Sequence, residues 1–167
     1  MFPLGHVGIG TQLVPARIRE QFRWVVLGCI LPDLLDKPLF VAARLLHRPG
    51  MDHWYLLRGS RLFGHTLFFL ALLFFASAFL RSVPLRAVAW GVATHLLLDL
   101  VPDFAAGFFF TFRSWLFWPV FGWGFPPAYG GTHAHGIDRE LATYLAGDAI
   151  GAALLVWQYV RYRRARA

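Results

Sequence analysis

Nineteen consecutive residues without a formal charge, LFGHTLFFLALLFFASAFL, lie between Arg61 and Arg81. As one helix they would reach about 28 Å, close to the roughly 30 Å of a bilayer's hydrocarbon core. Two further stretches have the same character. Residues 87–102 read AVAWGVATHLLLDLVP, and residues 141–160 hold Asp148 as their single charge before the basic tail RYRRARA. The chain has 167 residues, of which 57% are hydrophobic and only 15% charged. Soluble domains carry about 25% charged residues, so this chain lacks the polar surface to be one. The expected fold is all-α, an integral membrane bundle of four or five helical segments forming a single domain over residues 1–167.

The N-terminal third is more broken, reading PLGHVGIGTQLVP, ARIREQFR and WVVLGCILP. Each apolar piece is too short to cross alone, so short or re-entrant helices buried by protein are expected there. Pro32 is expected to close one helix and open the first turn of the next. No basic n-region precedes a cleavable apolar run, so no signal peptide is expected. A single cysteine excludes a disulfide scaffold and a thiolate metal site.

The formal charge of +7 rests on sixteen basic residues against nine acidic ones. These charges flank apolar runs and form no stripe, and the basic tail after the last run has the look of a topology anchor able to attract anionic lipid. Nucleic acid is therefore not an expected partner. In an up-and-down bundle, Arg17, Arg19 and Arg23, the Arg81–Arg86 turn and the C-terminal tail share one face. The positive-inside rule makes that face cytoplasmic, together with the C-terminus. Residues 104–139 are a separate matter. Their first part, FAAGFFFTFRSWLFWPVFGWGFPPAY, is aromatic and broken by Gly and Pro, and it suits an interfacial loop or short helix.

Several polar residues interrupt the apolar pieces at consistent places. His6 begins the first, Asp33 and Asp36 end the second, His65 begins the 62–80 run, and His95 and Asp99 end the next. Up-and-down alternation puts all six on the face opposite the dense arginines. His95 and Asp99 are four apart and share a helix face. Imidazole with carboxylate suits a divalent metal, zinc first and manganese or iron next, as one or two ions. Ionisable groups inside membrane segments are costly and mark function. Asp148 is expected instead to pair with an arginine, Arg113 or Arg139.

In order and spacing these motifs resemble the membrane-bound metal-dependent hydrolases, which include the LexA-regulated inner-membrane hydrolases of bacteria. The corresponding elements are His6, LPDLLD, SRLFGHT, HLLLD and WPVFG, over roughly residues 1–125. The family's His-Arg-Gly element departs here, with Ser60 and Leu62 in place of its first and third residues. A replacement ligand is then sought in His53, or in His133 and His135. The resemblance implies a hydrolase of the bacterial inner membrane, and the placement of the arginines puts its site on the extracytoplasmic side. It also implies a more distant similarity to zinc-dependent phospholipase C.

The mechanism this suggests is hydrolysis of a phosphate ester of a lipid or lipid-linked substrate by metal-activated water. In it Asp36 serves as catalytic base or outer partner, and Arg61 binds phosphate through its planar fork or, alternatively, snorkels as a helix-end anchor. The sequence leaves the oligomeric state open. It carries no Gly-rich phosphate loop and no Gly-x-Ser-x-Gly elbow. The alternative is a non-enzymatic membrane protein, a metal or proton transporter or a binding scaffold, using the same His and Asp residues. Depth separates the two, because transport needs polar groups across the bilayer and hydrolysis needs them near one face.

Overall fold

The computed structural model describes residues 2–46, 60–105, 112–125 and 134–164, with the backbone alone at 112 and 134–140. In chain order it contains α1 (Pro3–Leu13), α2 (Ala16–Arg19), α3 (Phe22–Leu46), a 3-10 turn (Phe63–His65), α4 (Leu67–Phe79), α5 (Val83–Ala105), α6 (Phe112–Leu116) and α7 (Ala134–Arg164). Among the described residues there is no strand. The fold is all-α, as expected, with five long helices and two short ones. Val83–Ala105 and Leu141–Arg164 are long and apolar enough to cross a membrane.

Two glycine crossings set the helix spacing. A Cβ added at Gly91 would lie 2.7 Å from the Gly28 Cα, and one added at Gly28 would lie 2.9 Å from the Gly91 Cα. α3 and α5 therefore touch backbone to backbone, an approach that small residues allow in membranes. They run parallel, because Cys29, just beyond Gly28, meets Thr94, one turn beyond Gly91, with Sγ and Oγ1 3.5 Å apart. The α1–α7 pair repeats the device, with a Cβ on Gly151 falling 2.6 Å from the Gly5 Cα. Gly91→Val is expected to force α3 from α5 and to cost about 3 kcal/mol, an overpacking penalty. A lowered thermal midpoint in detergent would register it.

Three expectations are corrected here. α3 does not stop at Pro32 but runs through both Pro32 and Pro38. Where Pro32 loosens the ladder, the Cys29 carbonyl accepts from the His95 ring, so a neighbouring helix supplies a donor. The 62–80 run is not one spanning helix. The Asp36 carboxylate draws the backbone N–H groups of Leu62, Gly64 and His65 onto itself, winding a tight turn. Only then does Thr66 cap α4, its Oγ1 accepting from the Phe69 N–H at 2.9 Å. α4 has 13 residues, about 20 Å. Asp148, finally, is not paired with Arg113, and the side chain of Arg139 lies outside the described residues. The Asp148 Oδ1 accepts from the Gly5 N–H at 2.7 Å, satisfying a first-turn donor of α1 from another helix.

α6 belongs to the aromatic segment. Trp115 and Leu116 are buried with Leu62, Val92, Leu96 and Phe125, whereas Phe121 and Trp123 are exposed. The segment thus fills the interior on one side and faces outward on the other. Helix directions gather the Arg17–Arg23 stretch, the α4–α5 turn and the end of α7 at one end of the bundle. His6, Asp33, His65 and Asp99 meet at the other.

Candidate metal centre

Four stretches contribute to one polar cluster inside the apolar bundle. α1 brings His6 at its start, and α3 brings Asp33 and Asp36 one turn apart beyond Pro32. The 3-10 turn brings His65, and the last turns of α5 bring His95 and Asp99. His6 Nε2 lies 3.2 Å from Asp99 Oδ1. Asp99 Oδ2 lies 3.5 Å from His65 Nε2 and 3.7 Å from His95 Nε2. His65 Nε2 is also 3.5 Å from Asp33 Oδ1, and the His6 and His95 rings stack at 3.9 Å. All three histidines are buried.

Hydrogen bonding fixes the tautomers of two of these rings. His95 Nδ1 is 2.7 Å from the Cys29 carbonyl, which can only accept, so Nδ1 carries the proton. His65 Nδ1 donates in the same way to Asp36 Oδ2 at 2.7 Å. In the neutral rings both Nε2 atoms are then bare, and they face each other at 3.2 Å beside two carboxylates. Lone pairs pointed together among anionic oxygens call for a positive charge between them, either a proton shared as an N–H···N bond or a metal ion. This donor set fits a divalent metal: His6, His95 and Asp99 form one group able to hold an ion, and Asp33, His65 and His95 a second.

The structure brings together five of the six expected ligands and moves the sixth outward. Asp36 is buried, and its oxygens are occupied by His65 Nδ1 and by three backbone N–H groups. It orients His65 in the manner of a carboxylate–histidine–metal relay. Of the roles expected for Asp36, direct ligand, base or outer partner, its contacts match the outer partner. Arg61 does not snorkel. Its Nη1 donates to Asp103 Oδ2 at 2.6 Å, its Nε lies 3.3 Å from Asp99 Oδ2, and its plane sits over the Trp115 ring. Burial opposes the Arg61 charge, but Asp99 and Asp103 more than offset it and push its pKa above the ordinary value. His53 and His133 fall outside the described residues, as does the side chain of His135.

A pocket of about 130 Å³ opens beside the cluster, lined by Asp33, Lys37, Arg61, His65, Asp99 and Tyr144 among others. Lys37 is half-exposed on its rim, with Nζ 2.6 Å from Asp33 Oδ2. Sequence reasoning overlooked Lys37 and Asp103, although each stands four residues beyond a singled-out aspartate. Tyr144 carried no signal, since its place depends on how α7 packs.

Residues 1–165 match the YdjM inner membrane protein family. The chain belongs to that family. Membership in the YdjM inner membrane proteins agrees with two membrane-length helices and with the many large apolar side chains exposed on α4 and α7. The match conveys the membrane and not a chemistry, so the hydrolase and phospholipase C likeness of the motifs gains nothing from it. No curated protein and no solved structure matches the chain.

Proposed function

We propose that this chain is a membrane-embedded, metal-dependent hydrolase that cleaves a phosphate ester of a lipid or lipid-linked substrate. What carries the reading is the clustering of His6, Asp33, His65, His95 and Asp99, of which Asp33, His65 and Asp99 also line a pocket with a cationic rim. Both donor groups use His95, whose Nδ1 is committed to Cys29. Its single remaining lone pair cannot serve two ions, which favours one ion held by three imidazoles and two carboxylates. Zinc stays the first choice, and manganese or iron suit the same nitrogen and oxygen donors.

When bound, the ion supplies Lewis acidity that polarises a phosphoryl oxygen and acidifies water. The chain's own groups do the rest. Asp36 and the Cys29 carbonyl hold His65 and His95 in their tautomers. Asp103 anchors Arg61, and Arg61 in turn braces Asp99. Asp33 would be among the groups holding the ion, and Lys37, paired with it at the pocket rim, would bind the anionic substrate. By the positive-inside rule the arginine-rich end and the C-terminus are cytoplasmic, and the pocket faces the other side.

The transporter alternative is less favoured because the donor cluster does not continue through the bundle. Towards the basic end, α3 and α5 pack through Val25, Gly28, Val88 and Gly91. The test is to load detergent-purified protein with zinc, manganese or iron in turn and assay phosphate esters, including phospholipids in mixed micelles. Metal-dependent turnover supports the hydrolase. Stoichiometric metal without turnover on any ester removes it, and no metal at all removes the centre. Lys37→Ala is expected to raise KM about tenfold with kcat little changed, as loss of a charge-assisted contact to substrate does. A fall in kcat at constant KM would contradict that role.

A further inference from the structure

At the end remote from the metal centre α1 and α7 part company. The two helices run parallel, with Asp148, midway along α7, capping Gly5 near the start of α1 and Gln158 Nε2 donating to Thr11 Oγ1 at 3.4 Å near the end of α1. α1 then stops at Leu13, followed by extended Val14, while α7 continues to Arg164. α2 turns back beneath the end of α1. Arg19 Nη2 donates from it to the carbonyls of Gln12 at 2.6 Å and Val14 at 3.3 Å. The overhang leaves a second pocket of about 220 Å³, lined by Gln12, Arg19, Trp157, Gln158 and Arg161.

The chemistry of this lining is specific. It has two guanidinium groups, two amide side chains and an indole, and no carboxylate. Trp157 and Arg161 stand one turn apart, with the guanidinium 4.8 Å from the ring centroid, and both are exposed. An indole beside an arginine at the end of a membrane helix is the arrangement found at headgroup depth. The donors of Arg19 that do not reach α1, with those of Arg161, can take two oxygens of a phosphate. The amides of Gln12 and Gln158 supply contacts suited to hydroxyls. From Tyr144 at the metal pocket to Trp157 is thirteen residues of helix, about 20 Å, so the two pockets are separate sites.

We propose that the α1–α7 pocket is a binding site for the headgroup of an anionic phospholipid in the cytoplasmic leaflet. It differs from diffuse attraction by the basic tail because it is a cavity between helices, where acidic headgroups are held by paired arginines. It does not depend on the chemistry proposed for the metal centre.

Native mass spectrometry of the full chain in detergent tests it, using phosphatidylglycerol, phosphatidylcholine and inorganic phosphate as probes. Phosphatidylglycerol is expected to stay bound in preference to phosphatidylcholine. Arg161→Gln is expected to lower its occupancy about fivefold, the effect of one arginine near an acidic headgroup. Gln158→Glu, which places a carboxylate in the pocket, is expected to lower it at least as far. The Arg163→Gln/Arg164→Gln double variant, outside the lining, is expected to leave occupancy near that of the wild type. Equal retention of the two lipids overturns the proposal, as does a loss in the tail variant matching that of Arg161→Gln. Displacement of phosphatidylglycerol by millimolar phosphate also overturns it, in favour of a soluble-anion site.

Discussion

Replacing His95 and Asp99 together by alanine is expected to reduce bound metal from about one ion per chain to near zero, and to abolish metal-dependent turnover. His95 belongs to both donor groups and Asp99 touches His6, His65 and His95, so neither donor group survives the change and only the His65–Asp33 pair is left intact. Elemental analysis of purified protein reads this directly. The wild type should also gain stability on metal addition by mass action, about 2.7 kcal/mol at a hundredfold excess over Kd, and the double variant should not. A variant that still bound metal stoichiometrically would show that the centre lies elsewhere. Equal thermal response in both proteins would mean that the added ions act on the surface.

Asp36→Ala should produce the largest loss of stability of any single site change. The carboxylate serves Leu62, Gly64 and His65 through their backbone N–H groups and His65 again through its ring. Each buried donor left without a partner costs about 1–3 kcal/mol. Even allowing for relaxation, the loss should approach about 4 kcal/mol. The His65 ring would also lose its fixed tautomer, a change that typically lowers metal affinity by 10–100-fold. Thermal melts in detergent and a metal titration separate the two effects. A variant that binds metal as tightly as the wild type would refute the positioning role of Asp36.

Much of this was legible in the sequence because alternation along the chain is a strong physical signal. A helix that starts with a polar residue and a helix that ends with one place both groups at the same end of a bundle. That reasoning gathered His6, Asp33, His65, His95 and Asp99 without knowledge of their contacts. Asp36 illustrates where it stops. Its spacing from Asp33 said that both share a face, but only the folded turn at Phe63–His65 decides which of the two meets the cluster and which holds the turn.

The 62–80 run failed for a related reason. Apolar composition gives the length that could be helical, while the competing demand of Asp36 for backbone donors is non-local and leaves no mark in the run itself. Asp148 was legible as structural, since a charge within an apolar run must find a partner. That the partner would be the amide of Gly5 followed from the α1–α7 crossing, which no local pattern announces. Arg61 was legible beside His65, but its inward turn depends on Asp103, one helical turn past Asp99.

The bond from Asp148 to Gly5 spans 143 positions of the chain, and it bears on the order of events at the ribosome. His6 is made well before the group that caps its helix and the glycine that fits against it. Contacts so distant in sequence are closed late, after their loop entropy has been overcome. A nascent chain halted before α7 therefore carries His65, His95 and the aspartates but leaves the first histidine without the helix that seats it. Acquisition of the full complement of donors waits for α7, so a half-inserted chain presents an incomplete centre to the cell.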